Sequence, residues 1–196
     1  MMKKLFLLFL IFLCFGCNDS KVTTVKKSNG DSLTYNFFKN FDSNSYCVYF
    51  FDRNTNINDD TKIIFGRLED KYYYKIEGIN TQTIIQKDGY KYTVNDSGFF
   101  KEESDVVDYS KGILPDIDKI KTSGYDTGKE KVFNSTYVFE RYKNDKEYTT
   151  YYYRGNKLVY VRFSGIQNEI LLKFNKFDKV NDKIFEIDDG LVEISY

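Results

Sequence analysis

The residues best suited to chemistry in this chain are three cysteines, Cys14, Cys17 and Cys47, and a polar run from position 52 to position 60. The 196 residues include no His, which removes the commonest metal ligand and the commonest general base. The sequence also contains no Gly-rich phosphate loop and no Cys cluster with metal-ligand spacing. Composition leaves a paired-carboxylate glycosidase or a Ser-Lys hydrolase open, but no spacing supports either. We therefore expect no enzyme activity, no cofactor and no metal site.

The polar run begins like a calcium-binding loop, with Asp52, Asn54 and Asn56 at alternate positions. A calcium loop of this type needs Gly at its sixth position and a bidentate Glu at its twelfth. Here those positions are Ile57 and Ile63. The sequence therefore predicts a polar hairpin loop between two strands.

The first 16 residues have the pattern of a secretory signal peptide. Lys3 and Lys4 precede an apolar run over positions 5–15, which is 15 − 5 + 1 = 11 residues, and the small residue Gly16 follows. A membrane-spanning helix needs about 20 apolar residues, so this run is too short to be one. We predict cleavage after Gly16.

This segment resembles a bacterial lipoprotein signal peptide, in which the Cys directly after the cleavage site is lipidated. In the stretch Cys14-Phe15-Gly16-Cys17, Gly16 fits the lipobox pattern, whereas Phe15 is bulky and Leu13 lies one place too early. The resemblance implies that Cys17 carries the acyl chains. They would hold the protein at the extracytoplasmic face of the cell membrane. The alternatives are an ordinary signal peptide, or an uncleaved anchor in which Cys17 is a plain thiol.

Charge and the remaining thiol limit what the mature chain can do. The 29 basic and 29 acidic residues cancel, and loss of Lys3 and Lys4 leaves 27 − 29 = −2. We therefore expect no nucleic-acid binding, and membrane attachment that depends on the lipid. Cys47 has aromatic and apolar neighbours and no activating His, so we predict a buried structural thiol.

Composition and spacing predict one mainly β (α+β) domain. The chain has 18 Tyr and 18 Phe but no Ala, which favours pleated, half-buried surfaces over helices. Positions 17–32 are polar and predict a flexible tether, and positions 33–196 form the domain. Short strand-like runs recur from Tyr46 to a last one at 183–187, with a hairpin signal at Asp88-Gly89. Short helices are predicted at 33–41 and within 102–120.

The tyrosine triplets 72–74 and 151–153 could be stacking platforms for a sugar or lipid. Adjacent strand residues point to opposite faces of a sheet, so neither triplet makes one patch. We predict that both triplets pack on both faces of the sheet.

Residues 129–187 resemble the C-terminal half of LolA/LolB-like lipoprotein carriers and related lipid-anchored bacterial proteins. The similar pieces are 134–140, 151–160, 173–177 and 182–187. The resemblance implies a curved antiparallel sheet or incomplete β-barrel, with a few short helices covering an apolar concave face. The strand-like runs and their turn signals predict about ten strands. No ligand-contacting residue of that family can be matched to a position here.

Two functions follow from these observations. In the first, the lipid-anchored protein binds a hydrophobic ligand, a lipid or an acyl chain, in the concave face of the half-open barrel. In the second, the barrel is a non-catalytic surface scaffold for a protein or cell-envelope partner. A filled concave side with an exposed apolar patch outside would favour the second function.

Overall fold

The computed structural model describes residues 21–27, 30–53, 61–78, 80–166 and 169–194. These residues form one twelve-stranded sheet in which every neighbouring pair of strands is antiparallel. The strands are β1 (Lys21–Lys27), β2 (Ser45–Asp52), β3 (Lys62–Leu68), β4 (Lys71–Glu77), β5 (Gln82–Lys87), β6 (Tyr90–Asn95), β7 (Gly98–Glu103), β8 (Gly124–Val132), β9 (Ser135–Asn144), β10 (Glu147–Arg154), β11 (Lys157–Ser164) and β12 (Glu169–Asp178).

The sheet is open, with β1 at one edge and β7 at the other. Its strand order is β1-β8-β9-β10-β11-β12-β2-β3-β4-β5-β6-β7. The chain therefore builds the sheet as two meanders, β2–β7 and β8–β12, which are joined where β12 pairs with β2. The mainly β, antiparallel prediction is confirmed, but the strand count is twelve rather than about ten.

Helices contribute little to the described residues. They are α1 (Leu33–Phe38), α2 (Ile117–Thr122) and a 3-10 helix (Asp182–Phe185). The Ser32 side chain caps α1 by accepting a hydrogen bond from the Tyr35 amide, and Asp116 caps α2 in the same way through Lys119. Both α-helices lie within the regions where short helices are predicted, and α1 ends three residues before the predicted boundary at Phe41.

Two sequence predictions are wrong. The segment predicted as a tether contains edge strand β1, and Ser32 at its end is buried at 1% exposure. Strand pairing with β8 outweighs the polar composition of β1, because backbone hydrogen bonds do not depend on apolar side chains. The last predicted strand, at 183–187, instead contains part of the 3-10 helix, which Asn181 caps.

The two faces of the sheet carry separate hydrophobic clusters. We call the face covered by α1 and α2 the inner face and the opposite one the outer face. Tyr151 and Tyr153 belong to the inner-face cluster and Tyr152 to the outer-face cluster. The period-2 alternation of strand side chains thus divides this triplet as predicted. Triplet 72–74 is divided too, since Tyr74 packs inside and Tyr73 packs against Phe185 outside.

Candidate functional site

The inner face of the sheet is occupied by the chain's own aromatic side chains. Phe38 from α1 is fully buried against β10 and β12, and its ring centroid lies 5.8 Å from that of Tyr151 and 5.7 Å from that of Phe177. Phe50 and Tyr153 are buried in the same cluster. The rings meet mostly edge to face, the arrangement that ring quadrupoles favour. This part of the inner face therefore has a packed interior.

A buried carboxylate fastens α1 to the sheet. Glu140 of β9 is 3% exposed and accepts hydrogen bonds from the amides of Leu33 and Thr34, each at 2.8 Å. Its Oε2 also accepts from the Thr34 hydroxyl at 2.7 Å and the Tyr142 hydroxyl at 3.3 Å. These donors satisfy amides that a helix start leaves without partners, and they offset the cost of burying the charge.

Tyrosine hydroxyls fasten the irregular segment 104–116 to the same face. Tyr46 Oη lies 2.7 Å from Ser110 Oγ, and Tyr151 Oη donates to the Ile113 carbonyl at 3.1 Å. Thr149 donates to the Gly112 carbonyl beside them. Burial raises the pKa of Tyr46 and Tyr151 well above the usual tyrosine value, so both hydroxyls stay protonated and can donate. Each ring fills the interior while its hydroxyl holds a covering segment.

Half-buried rings line the margin between α1 and β12. They belong to Phe37, Phe41, Phe174 and Phe177. The Phe37 and Phe174 centroids are 5.5 Å apart, and Phe174 and Phe177 are 5.1 Å apart. These rings fill the space between α1 and β12.

The outer face of β3–β7 is covered by the C-terminal segment 182–194. Phe185 is 1% exposed and packs against Tyr73, while Lys87 Nζ donates to its carbonyl at 2.8 Å. The segment then pairs with β7, since the Phe99 amide donates to Val192 and the Ile194 amide donates to Phe99. Cys47 is buried in β2, as expected, and burial raises the pKa of its thiol.

The outer face of β8–β11 carries an aromatic cluster with arginines over its rings. We call it the outer aromatic cluster. Its rings are those of Tyr137, Phe139, Tyr152 and Tyr160, and its arginines are Arg141, Arg154 and Arg162.

Glu130 ties this cluster together from β8. It accepts from Arg162 at 2.6 Å, Arg141 at 3.3 Å and the Tyr152 hydroxyl at 3.1 Å. Tyr152 is fully buried under these charged side chains. The three arginines lie 5.0–5.2 Å from ring centroids, so their stems and planar groups shield the rings from water.

An open cleft of about 700 Å³ lies beside the C-terminal segment. It is lined by Lys87, Lys183, Glu186, Ile187, Asp188 and Asp189. Charges of both signs line it, so it shows no selective chemistry for one kind of ion. Within the described ranges, no three Cys, Asp or Glu side chains come together to hold a metal ion.

The predicted site residues are divided between described and undescribed parts of the chain. Cys17 lies outside the described residues, as does the polar loop from position 54 to position 60. Sequence reasoning missed Glu140 and the arginines. The signal available was a charged pair, Glu140-Arg141, placed inside an otherwise apolar and aromatic strand.

No helix in the described ranges combines the length and the apolar character needed to cross a bilayer. No protein-family model matches this chain, and no curated protein matches it.

Proposed function

We propose that the protein is an exported lipoprotein, anchored through Cys17, whose open sheet is a self-filled, non-catalytic scaffold that binds a protein or cell-envelope partner. The observation that carries the choice between scaffold and ligand carrier is the inner face. Buried aromatic rings fill the packed part of that face, and tyrosine hydroxyls bind the segment that covers it. The chain itself therefore occupies this space.

The outer aromatic cluster supports a partner on the opposite face. Arginine and tyrosine are both enriched among the residues that dominate protein interfaces. A tyrosine ring buries a large area with only two side-chain torsions to fix, and a guanidinium both stacks on rings and donates several hydrogen bonds. Tyr160 is half-buried at the margin of this cluster, between Tyr137 at 5.5 Å and the exposed Phe133 at 5.9 Å. Tyr160 is therefore placed to bury its remaining surface against a partner.

Site-specific photo-crosslinking in intact cells tests the scaffold. A photoreactive residue replaces Tyr160 or, as the matched control, Tyr148, a 37% exposed tyrosine at the far end of β10. We expect a protein adduct of defined mass at position 160 and none at position 148. No adduct at position 160 would contradict a partner on this face. Equal adducts at both positions would contradict a partner confined to the outer aromatic cluster, because Tyr148 lies on the same face at the other end of β10.

Labelled palmitate tests the anchor separately. We expect incorporation into the wild-type chain and into Cys14→Ser, and none into Cys17→Ser. Incorporation that survives Cys17→Ser would contradict the assignment of the anchor.

A second function is favoured by the half-buried phenylalanines between α1 and β12. In this case α1 acts as a cover over an acyl-chain site, and an incompletely closed barrel holds the chain. Native mass spectrometry of residues 18–196 purified from bacterial lysate decides between the two. Reproducible adducts of lipid mass would support the carrier, and they should weaken in Phe174→Ser but not in Phe133→Ser. A clean mass that stays unchanged on incubation with lipid would support the scaffold.

A further inference from the structure

The strand topology fixes which end of the sheet lies nearest the proposed anchor. Lys21, the first described residue, pairs with Lys129 of β8. Four residues separate Lys21 from Cys17, and an extended chain spans at most about 3.6 Å per residue, so Cys17 lies within ~14 Å of Lys21. Phe133 also follows Lys129 by four residues, in the turn between β8 and β9. Lys21 and this turn therefore lie toward the same end of the sheet, and an anchor at Cys17 would be able to reach that end.

Phe133 is an unusual residue for the turn that it occupies. It is 58% exposed and has a φ of 51°, a left-handed conformation that is unfavourable for a residue other than Gly. The other non-Gly residues with positive φ in the described ranges are Glu69, Asp88 and Asp145, all acidic. One side of its ring lies against Tyr160. The turn thus holds an apolar ring in water at a position where a polar side chain is usual.

Exposed basic side chains lie at the same end of the sheet as this ring. Lys129, Lys131, Arg154 and Lys157 are exposed on the ends of β8, β10 and β11. The nearby carboxylate, Glu130, is paired with Arg141 and Arg162. At the opposite end, the turn between β9 and β10 and its flanking strand ends carry two carboxylates, Asp145 and Glu147, and two amines, Lys143 and Lys146, so their charges cancel. The near-neutral chain therefore concentrates positive charge at one end of the sheet.

We propose that this end, with Phe133 at its tip, rests on the bilayer, with the ring in the interface and the amines on anionic headgroups. The proposal rests on the proposed lipid anchor, which brings this end to the membrane. An aromatic ring gains free energy at the boundary between headgroups and acyl chains, and each nearby amine adds attraction to anionic lipid. The anchor, the ring and the amines together hold the sheet in one orientation.

A fluorescent probe on the acylated protein tests the orientation. Phe133→Cys and, as the matched control, Ile166→Cys are labelled with an environment-sensitive dye. Ile166 is 74% exposed and lies at the opposite end of the sheet, and the buried Cys47 does not compete for the label. In vesicles of three parts phosphatidylcholine to one part phosphatidylglycerol, we expect a blue-shifted signal at 133, quenched by doxyl-labelled lipid, and a water-like signal at 166. A water-like signal at both positions would overturn the proposal.

A second measurement tests membrane binding by this surface independently of lipidation at Cys17. Residues 18–196 contain every described element, and their partition onto the same vesicles needs no acyl chain. We expect Phe133→Ser to lower the partition coefficient about 5- to 10-fold, since about half of a Phe side chain leaves water on insertion. Ile166→Ser should leave it unchanged. Equal partition of the two variants would overturn the surface even if Cys17 is acylated, and the expected difference would support it even if Cys17 is not.

Charge reversal checks the amines in the same assay. Lys131→Glu with Lys157→Glu should lower partition at low salt, and the effect should fade at high salt as charges are screened. Lys146→Glu, at the opposite end, should have little effect. A loss that does not respond to salt, or that Lys146→Glu reproduces, would overturn the role of the amines.

Discussion

Glu140 shows how a single buried charge can be stabilised by donors rather than by a cation. Its carboxylate receives two amide and two hydroxyl hydrogen bonds, all from residues in or beside α1 and β9. Tyr153 extends the network by donating to the Thr34 hydroxyl at 3.0 Å. The position of α1 on the sheet therefore depends on this one side chain.

Removing the carboxylate should destabilise the protein. Glu140→Ala leaves the Leu33 and Thr34 amides and a hydroxyl buried without an acceptor, which costs about 2–4 kcal/mol. Glu140→Gln keeps one acceptor oxygen and should lose less. Urea unfolding measures the change, with Glu103→Ala, an exposed glutamate at the end of β7, as the control. A loss for Glu140→Ala no greater than for the control would contradict the role given to Glu140.

At the scale of elements, the segment between β7 and α2 covers the inner face without regular structure. Pro115 precedes the α2 cap and Gly112 adopts a φ of 86°, so the backbone turns where a helix would need to continue. Gln86 of β5 holds the start of the segment by accepting from the Val107 amide at 3.0 Å and donating to the Asp105 carbonyl at 3.2 Å. Side chains on the strands thus define the path of this cover.

Gly112 and Gly155 both have a positive φ, but only Gly112 lies close to another side chain. Alanine substitutions at the two positions therefore distinguish backbone strain from steric crowding. A Cβ at Gly112 would lie 2.7 Å from Phe163 Cε2, whereas a Cβ at Gly155 (φ 60°) would meet nothing within 4 Å. Gly155→Ala should cost about 1 kcal/mol for the left-handed backbone alone, and Gly112→Ala about 1–2 kcal/mol more, because Phe163 must move. Thermal or urea unfolding of both variants measures the difference. Equal losses of unfolding free energy would show that Phe163 moves aside without cost.

At the scale of the whole molecule, buried tyrosines make stability depend on alkaline pH. Burial raises the pKa of Tyr73 and Tyr125 to about 12, against an ordinary value of 10.0. It raises the pKa of Tyr46, Tyr142 and Tyr152 further. A raised pKa means that the folded state keeps a proton that the unfolded state releases.

The protein should therefore lose stability steeply above about pH 10. The contribution of these tyrosines is fully present below the unfolded pKa near 10 and is lost as pH rises through the folded values. Tyrosinate absorbance near 295 nm, followed together with the far-ultraviolet circular dichroism, measures this. We expect most tyrosines to ionise together with unfolding. Complete ionisation at pH 10 with the fold intact would contradict their burial.

Local sequence patterns were enough to predict the mainly β class and most strand positions. The alternating residues of β6 specify a strand with one face in water, and the continuous aromatic and β-branched run of β10 specifies a strand buried on both faces. Hairpin signals such as Asp88-Gly89 specified turns because few residues tolerate positive φ. The Gly16-Cys17 pattern predicts export and lipidation, and that remains a prediction.

Tertiary structure alone decided what the faces and ends of the sheet contain. Strand β1 and the 3-10 helix follow from pairing and packing partners far along the chain, which local composition does not reveal. The same holds for the two arginines that converge on Glu130, Arg141 of β9 and Arg162 of β11, since strand pairing brings β8, β9, β10 and β11 side by side. The overall charge near zero does not reveal the basic end of the sheet. Screening limits the reach of each charge to about 10 Å, so the local potential depends on which side chains the fold places close together.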